Sequence, residues 1–479
     1  MPNNENINFH TSAQRWAETV FGTCELGDAR RTRRAVDFAA RLAANPEASP
    51  NEACAGDDAA AEACYRFLRN DDIDPSALAE GPFQRTAELC RTHDVVLAIQ
   101  DTTDLTYSHA VSSQLGDLGT SRGIMIHSAL AVDGQTGEPI GLLDMQRRVR
   151  ADNRPGKRKR KKRPYEEKES YKWEISSQNI QKRLGSTTNI IEVSDREADI
   201  YEYLLACNKP GTERRYIVRA FQPRKLKSTG DTLRNHLLTQ LALGTYEIEI
   251  SQRGPSPGRF GRPDRPSRSA RKATLEIRAT SVTLLPPAKK RALGPLTTNV
   301  VYVSEPSEDD EAIEWLLLTS EDVSSFDSAR CVAEYYEMRW LIEEFHKAWK
   351  SGCKIEGSRL QSPANLERLV VITAQVAVRL LQLRSLAHQT PDAPCDSVLR
   401  EDEWICLYAT TNPKEPIPDF PPTLRWAMKT IAKLGGWRDT KRTGNIGWHA
   451  LWKGWYRFQE RVVAWRVAND MSRRGSAEM

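Results

Sequence analysis

Asn189 to Leu205 reads NIIEVSDREADIYEYLL. The run Ile190 to Val193 predicts a short buried strand, SDREAD a turn, and the apolar spacing of Tyr201, Leu204 and Leu205 a helix. Asp195 stands directly after the strand. A carboxylate so placed is held rigidly at the rim of a sheet, where a hard cation finds oxygen ligands in fixed geometry.

The same reading extends outward. DVVLAIQDTTDLTYS (Asp94–Ser108) predicts a buried strand ending at a second carboxylate, Asp101, while IMIHSALAVD and PIGLLDMQ predict a hairpin and RRYIVRAF a further strand. TYEIEI, ATLEIRATSVTLL and WLLLTSED add strands in a β-rich, basic-looped insertion. The first ~75 residues and those beyond about Ala387 are helical in pattern. The class is α/β with a mixed sheet.

A third acid lies far along the chain, in YYEMRWLIEEFHKAWKSG (Tyr335–Gly352). Read as one α-helix, this stretch sets Tyr336, Arg339, Glu343 and Lys350 within about 60° of one another. Met338, Leu341, Ile342, Phe345, Ala348 and Trp349 form the opposite, apolar face. Glu344 points about 100° away from Glu343. If this helix packs on the sheet, Asp101, Asp195 and Glu343 converge. Three carboxylates suit two divalent ions that activate an attacking oxygen and stabilise a leaving one in phosphoryl transfer. Arg339, Lys350 and Tyr336 would then hold the phosphate backbone.

Composition supports a nucleic-acid partner. The formal charge is +5, yet Arg147 to Arg163 alone carries eleven Lys and Arg against one Asp, so the rest of the chain is net acidic. Arg253 to Lys272 adds seven bases and one acid in a Pro/Gly/Ser-rich setting. Concentrated basicity of this kind suits phosphate contact. Near the N-terminus, LGDARRTRR places Asp28 as an N-cap and Arg30, Arg31, Arg33 and Arg34 in the first turns of a helix. Bases there oppose the helix dipole, a cost that a bound phosphate would offset.

Other classes recede. Nine cysteines without a Cys-x-x-Cys pair argue for reduced thiols and against a zinc framework. The polar start lacks a signal-peptide core, and the expected location is cytoplasmic. Leu366 to Leu383 is apolar but interrupted by Glu367, Arg368 and Arg379, which predicts a buried helix rather than a membrane span. Six of the twelve tryptophans fall in the last 54 residues, with Trp448, Trp452 and Trp455 on one helix face, suiting either an aromatic core or a subunit interface.

The spacing Tyr336-x2-Arg339-x3-Glu343-x6-Lys350, with SDREADIYEYL around Asp195 and LAIQDTTDLTYSH around Asp101, resembles the Asp-Asp-Glu (DDE) cut-and-paste transposases of bacterial insertion sequences. LGDARRTRR, YRFLRN, EKESYKW, IEEFHKAWK, LGGWRDTKRTG and WHALWKGW extend the resemblance over most of the chain. It implies a ribonuclease-H-like core (76–386) with a β insertion around 226–320, an N-terminal helical DNA-binding domain (1–75) and a C-terminal helical dimerisation domain (387–479). It implies two Mg²⁺ ions, replaceable by Mn²⁺, on Asp101, Asp195 and Glu343, and strand cleavage, hairpin formation and strand transfer on transposon-end and target DNA by a homodimer. DNA contacts are implied for Arg30, Arg31, Arg34, Arg219, Tyr336, Arg339, Lys347 and Lys350. Trp315 would stack on a flipped base, its plainer reading being a core tryptophan. GKRKRKKR (Gly156–Arg163) is more basic than the family pattern. A structure-selective nuclease on the same core, and a non-catalytic DNA-binding inhibitor, stand as alternatives.

Overall fold

The computed structural model describes residues 13–119, 121–150, 162–185, 189–211, 214–250, 252, 254–255, 266–307, 312–440 and 446–477. Most of the basic loops, residues 151–161 and 256–265 among them, lie outside the described residues, as does the side chain of Trp448.

Among the described residues ten strands form one sheet: β1 (Val96–Thr106), β2 (Gly116–Asp117), β3 (Arg122–Asp133), β4 (Pro139–Arg148), β5 (Ile190–Ser194), β6 (Arg215–Arg219), β7 (Gly244–Ile250), β8 (Arg271–Leu284), β9 (Leu296–Ser304) and β10 (Glu314–Thr319). The spatial order is β2-β3-β1-β5-β6-β10-β9-β8-β7, with β4 on the outer side of β3. β3 runs antiparallel to both β4 and β1, whereas β1, β5 and β6 run parallel. Parallel strands are covered on both faces and so read as continuous apolar runs, as the all-buried β5 does.

The strands of the insertion do not form a separate sheet. β10 pairs antiparallel with β6, and β9, β8 and β7 continue the core sheet outward. In β8 the first half buries Ala273, Leu275 and Ile277, and the second half buries Val282 and Leu284 on the other face, because successive side chains alternate. The sequence reading missed β9, whose TNVVYV carried a strand signal.

Helices cover both faces. One cluster joins Leu97, Ile99, Ile191, Val193, Ile217 and Leu317 of the sheet to Ile342, Phe345 and Trp349, to the helix Pro363–Gln389, and to N-terminal Phe38 and Phe67. Pro363–Gln389 is long and apolar enough to cross a membrane, yet it is mostly buried in the protein. Its Arg368 donates to the carbonyls of Ile73 (2.7 Å) and Leu68 (2.8 Å), tying the N-terminal helices to the core. Trp452 and Trp455 are buried in their own chain, which favours the aromatic-core reading of these two.

The stretch Tyr335–Gly352 is not one helix. A helix Phe326–Glu337 ends at a turn over Met338 and Arg339, a second runs Trp340–Lys347, and a π-helical turn follows over Ala348–Gly352. The single polar stripe is therefore broken at both ends. Its apolar side holds, with Leu341, Ile342, Phe345, Ala348 and Trp349 all buried. Trp349 stacks on Phe345 (centroids 5.7 Å apart) and donates to Thr373 (2.9 Å), so Trp349→Ala would cost about 3–5 kcal/mol.

Candidate active site

Register brings the two aspartates together. Gln100 of β1 lies opposite Ser194 of β5 in the parallel pair, and Asp101 and Asp195 are each the next residue. Neighbouring strands are about 4.8 Å apart, so the two carboxylates leave the sheet at the same level. β1 runs on to Thr106, paired from Asp101 onward with β3 alone, so Asp101 is inside its strand rather than at its end. It marks the fork where β5 turns away.

The local backbone fixes both groups. Asp101 Oδ1 accepts from the Thr102 N–H (2.7 Å), and Asp195 caps the turn Arg196–Ala198 by accepting from the Glu197 N–H (2.9 Å). On either side of Asp101 a buried network clamps the strands. Gln100 donates to Glu192 of β5 (3.0 Å), which also accepts from Ser177 (2.5 Å) and Tyr203 (2.9 Å). His127 of β3 meets Gln100 at 3.2 Å and Thr102 at 3.0 Å.

Burial pushes the Asp101 carboxyl up to about 7, and the charges of Asp195 and Glu343 add to this, against the opposing pull of the Thr102 N–H and Arg339. Asp195 is raised by burial too, against the pull of the Glu197 N–H, with the Glu197 charge adding to the rise and Arg339 and Lys172 opposing it. Two carboxylates driven together out of water call for positive charge between them. Lys172, within the quoted EKESYKW, answers part of that need: it is buried and pairs with Glu197 at 3.1 Å. The sequence reading gave it no role, because only the fold carries it to Asp195.

Glu343 is turned onto Arg339 in an i,i+4 ion pair. Among the described residues no group of three or more His, Cys, Asp and Glu side chains is disposed to hold a metal ion. The structure thus sets two aspartates side by side with Glu343 within electrostatic reach, and Arg339 interposed in charge.

Further residues line up along the rim. Arg339 lies 6.0 Å from the Tyr336 ring centre, and Tyr336, itself buried, meets Trp315 edge-on at 5.6 Å. Trp315 is half-buried at the start of β10, and Arg219, at the end of β6, donates to the adjoining Glu314 carbonyl (2.8 Å). Lys350, on the π turn, donates to the Asp104 carbonyl of β1 (2.6 Å). Lys347 pairs with Glu344 (2.5 Å), whose buried carboxylate also holds Arg384. Glu344 is therefore a structural anchor and no neutral neighbour of Glu343.

The N-terminal arginines are remote in sequence and differ in duty. Asp28 caps the helix Ala29–Ala44 by accepting from the Arg30 N–H (2.8 Å), and its carboxylate also pairs with the Arg30 guanidinium (2.8 Å). Arg31 binds Asp72 and the Leu26 carbonyl. Arg33 and Arg34 are exposed.

A solved structure of the piggyBac transposase synaptic complex with hairpin DNA overlaps 79% of this chain and 76% of its own, at 10% identity and a TM-score of 0.37, a level of overlap that does not imply a shared fold. Residues 13–73 match the family model described as Transposase DNA-binding. The segment that carries Arg30, Arg31 and Arg34 is therefore similar to the DNA-binding module of transposases.

Proposed function

We propose that this protein is a cut-and-paste DNA transposase of the DDE type, in which Asp101, Asp195 and Glu343 form the catalytic centre for DNA phosphodiester chemistry. The observation that carries the reading is the register of β1 and β5, which sets Asp101 beside Asp195 at the edge of a shared core face. The antiparallel β4-β3-β1 followed by parallel β5 and β6 supports a ribonuclease-H-like core. The N-terminal family match supports DNA as the partner.

The donor set fits Mg²⁺ by chemistry: oxygen ligands only, two of them adjacent, half-buried and mutually repelling. Asp101 and Asp195 would hold the ion, with Glu343 completing the set once released from Arg339. Bound there, Mg²⁺ supplies charge neutralisation and an activated oxygen nucleophile. Arg339, with Tyr336 and Lys350 on either side, holds the scissile phosphate; Lys347 and Arg219 extend that contact. Trp315 offers a half-exposed ring on which a flipped base stacks during hairpin formation. Exposed Tyr456, Val463, Val467 and Met471 on the helix Trp448–Ala477 recur at spacings of seven and four, which supports a homodimer joined by this C-terminal face. A strand-cleavage assay on DNA bearing the inverted ends that flank the gene, with Mg²⁺, tests the reading. Cleavage lost in Asp101→Asn, Asp195→Asn and Glu343→Gln, with binding retained, is the expected result; wild-type rates in these variants would refute it.

A further inference from the structure

At the end of β6 the chain leaves the sheet and is caught by a buried carboxylate. Ala220 N–H still donates to the Leu316 carbonyl (2.7 Å). The N–H groups of Phe221 and Gln222 then both donate to Asp199 Oδ2, at 2.8 and 2.7 Å. The other oxygen of Asp199 binds the Arg224 guanidinium, and the side chains of Asp199 and Arg224 are 0% and 4% exposed. Arg224 further donates to the Asp199 carbonyl (3.1 Å) and lies 5.4 Å from the Tyr201 ring centre.

This clamp holds a phenylalanine out in water. Phe221 is 65% exposed. Isolated exposed apolar side chains are ordinary on protein surfaces; Phe221 differs in its anchorage and its position. The clamping Asp199 closes the five-residue turn that Asp195 opens, and Arg196 from that turn lies 6.0 Å from the Phe221 ring centre. The β6–β10 register ends with Arg219 opposite Leu317, and the Ala220 N–H still reaches Leu316, so Phe221 turns off next to the start of β10, where Trp315 lies. The exposed ring thus follows β6, between β5, which Asp195 succeeds, and β10, which carries Trp315, on a backbone fixed by Asp199 and with a cation at its side.

We propose that Phe221 is a stacking platform for a nucleobase of the bound DNA, with Arg196 beside it to meet the adjoining phosphate. Aromatic faces accept any base, and a ring carried on a fixed backbone loses less entropy when one docks. The proposal rests on the transposase reading only in taking DNA as the occupant of this rim.

The test uses the full-length protein and forked duplexes of mixed sequence carrying 2-aminopurine at successive positions across the fork. Quenching at one position is expected for the wild type and for Phe221→Trp. Phe221→Ala should lose that quenching and bind the fork about 5- to 150-fold more weakly, while keeping wild-type affinity for plain duplex and an unchanged melting temperature. Phe221→Leu separates stacking from apolar cover: full affinity with leucine would overturn the stacking role. Unchanged quenching and fork affinity in Phe221→Ala would overturn it as well, leaving the transposase reading intact. Absence of binding to either DNA by the wild type would overturn both.

Discussion

Replacing Asp101 by Asn should stabilise the metal-free protein, and increasingly so as pH rises. Burial and the neighbouring carboxylates move the Asp101 carboxyl from 3.8 in the unfolded chain to about 7 in the fold. The folded state therefore binds a proton more tightly than the unfolded one, so ionisation between about pH 4 and pH 7 takes stability away. At about 1.4 kcal/mol per pH unit, the ceiling is about 4 kcal/mol at pH 8 and about 2 kcal/mol at pH 5. Asparagine keeps the oxygen that accepts from the Thr102 N–H and carries no charge to desolvate. With an unfolding entropy of about 1 kcal/mol per degree for a chain this long, the variant should melt about 2 °C higher at pH 5 and about 4 °C higher at pH 8. Thermal melts in chelator at the two pH values read this directly, and added Mg²⁺ should stabilise the wild type alone. A melting difference that does not grow with pH would refute the argument that Asp101 is strained by burial and like charge.

Glu344→Gln should lower stability by about 2 kcal/mol, measured by denaturant unfolding, since it leaves buried contacts to Lys347 and Arg384 half-satisfied. Arg33→Ala and Arg34→Ala should each flatten the slope of log affinity on log salt for DNA by about 0.9. Arg31→Ala should instead loosen the N-terminal helices by about 1 kcal/mol, because its partners are Asp72 and the Leu26 carbonyl. In a gel assay of cleaved ends, Trp315→Ala should spare the first nick and slow hairpin formation about 5- to 150-fold; equal loss of both steps would make it a core residue.

The sheet was legible because buried strands leave apolar runs: β1, β3, β4, β5 and β6 all follow from such runs, and Asp195 from its place after one. The end of β1 was less visible, since TTDLT reads as polar while pairing with β3 alone. Helical spacing found the apolar side of Trp340–Lys347 and set Arg339 and Glu343 on one face, both of which depend only on neighbours within a turn or two. It missed the break at Met338, which neither proline nor glycine marks, and the π turn at Ala348, whose glycine, Gly352, comes only at its end. Lys172, Asp199 and Phe221 were opaque for another reason. Their roles come from contacts between segments far apart in the chain, and no local pattern records those.

The most direct test of the central claim is Mg²⁺-dependent cleavage and joining by the purified full-length protein, using a duplex that carries the inverted ends flanking its gene and a second DNA as target. The wild type should give cleaved ends, a hairpin intermediate and joined product, and Asp195→Asn should leave the DNA bound but intact. DNA bound by the wild type and left uncut in both Mg²⁺ and Mn²⁺, or cut as fast by Asp195→Asn as by the wild type, would contradict it.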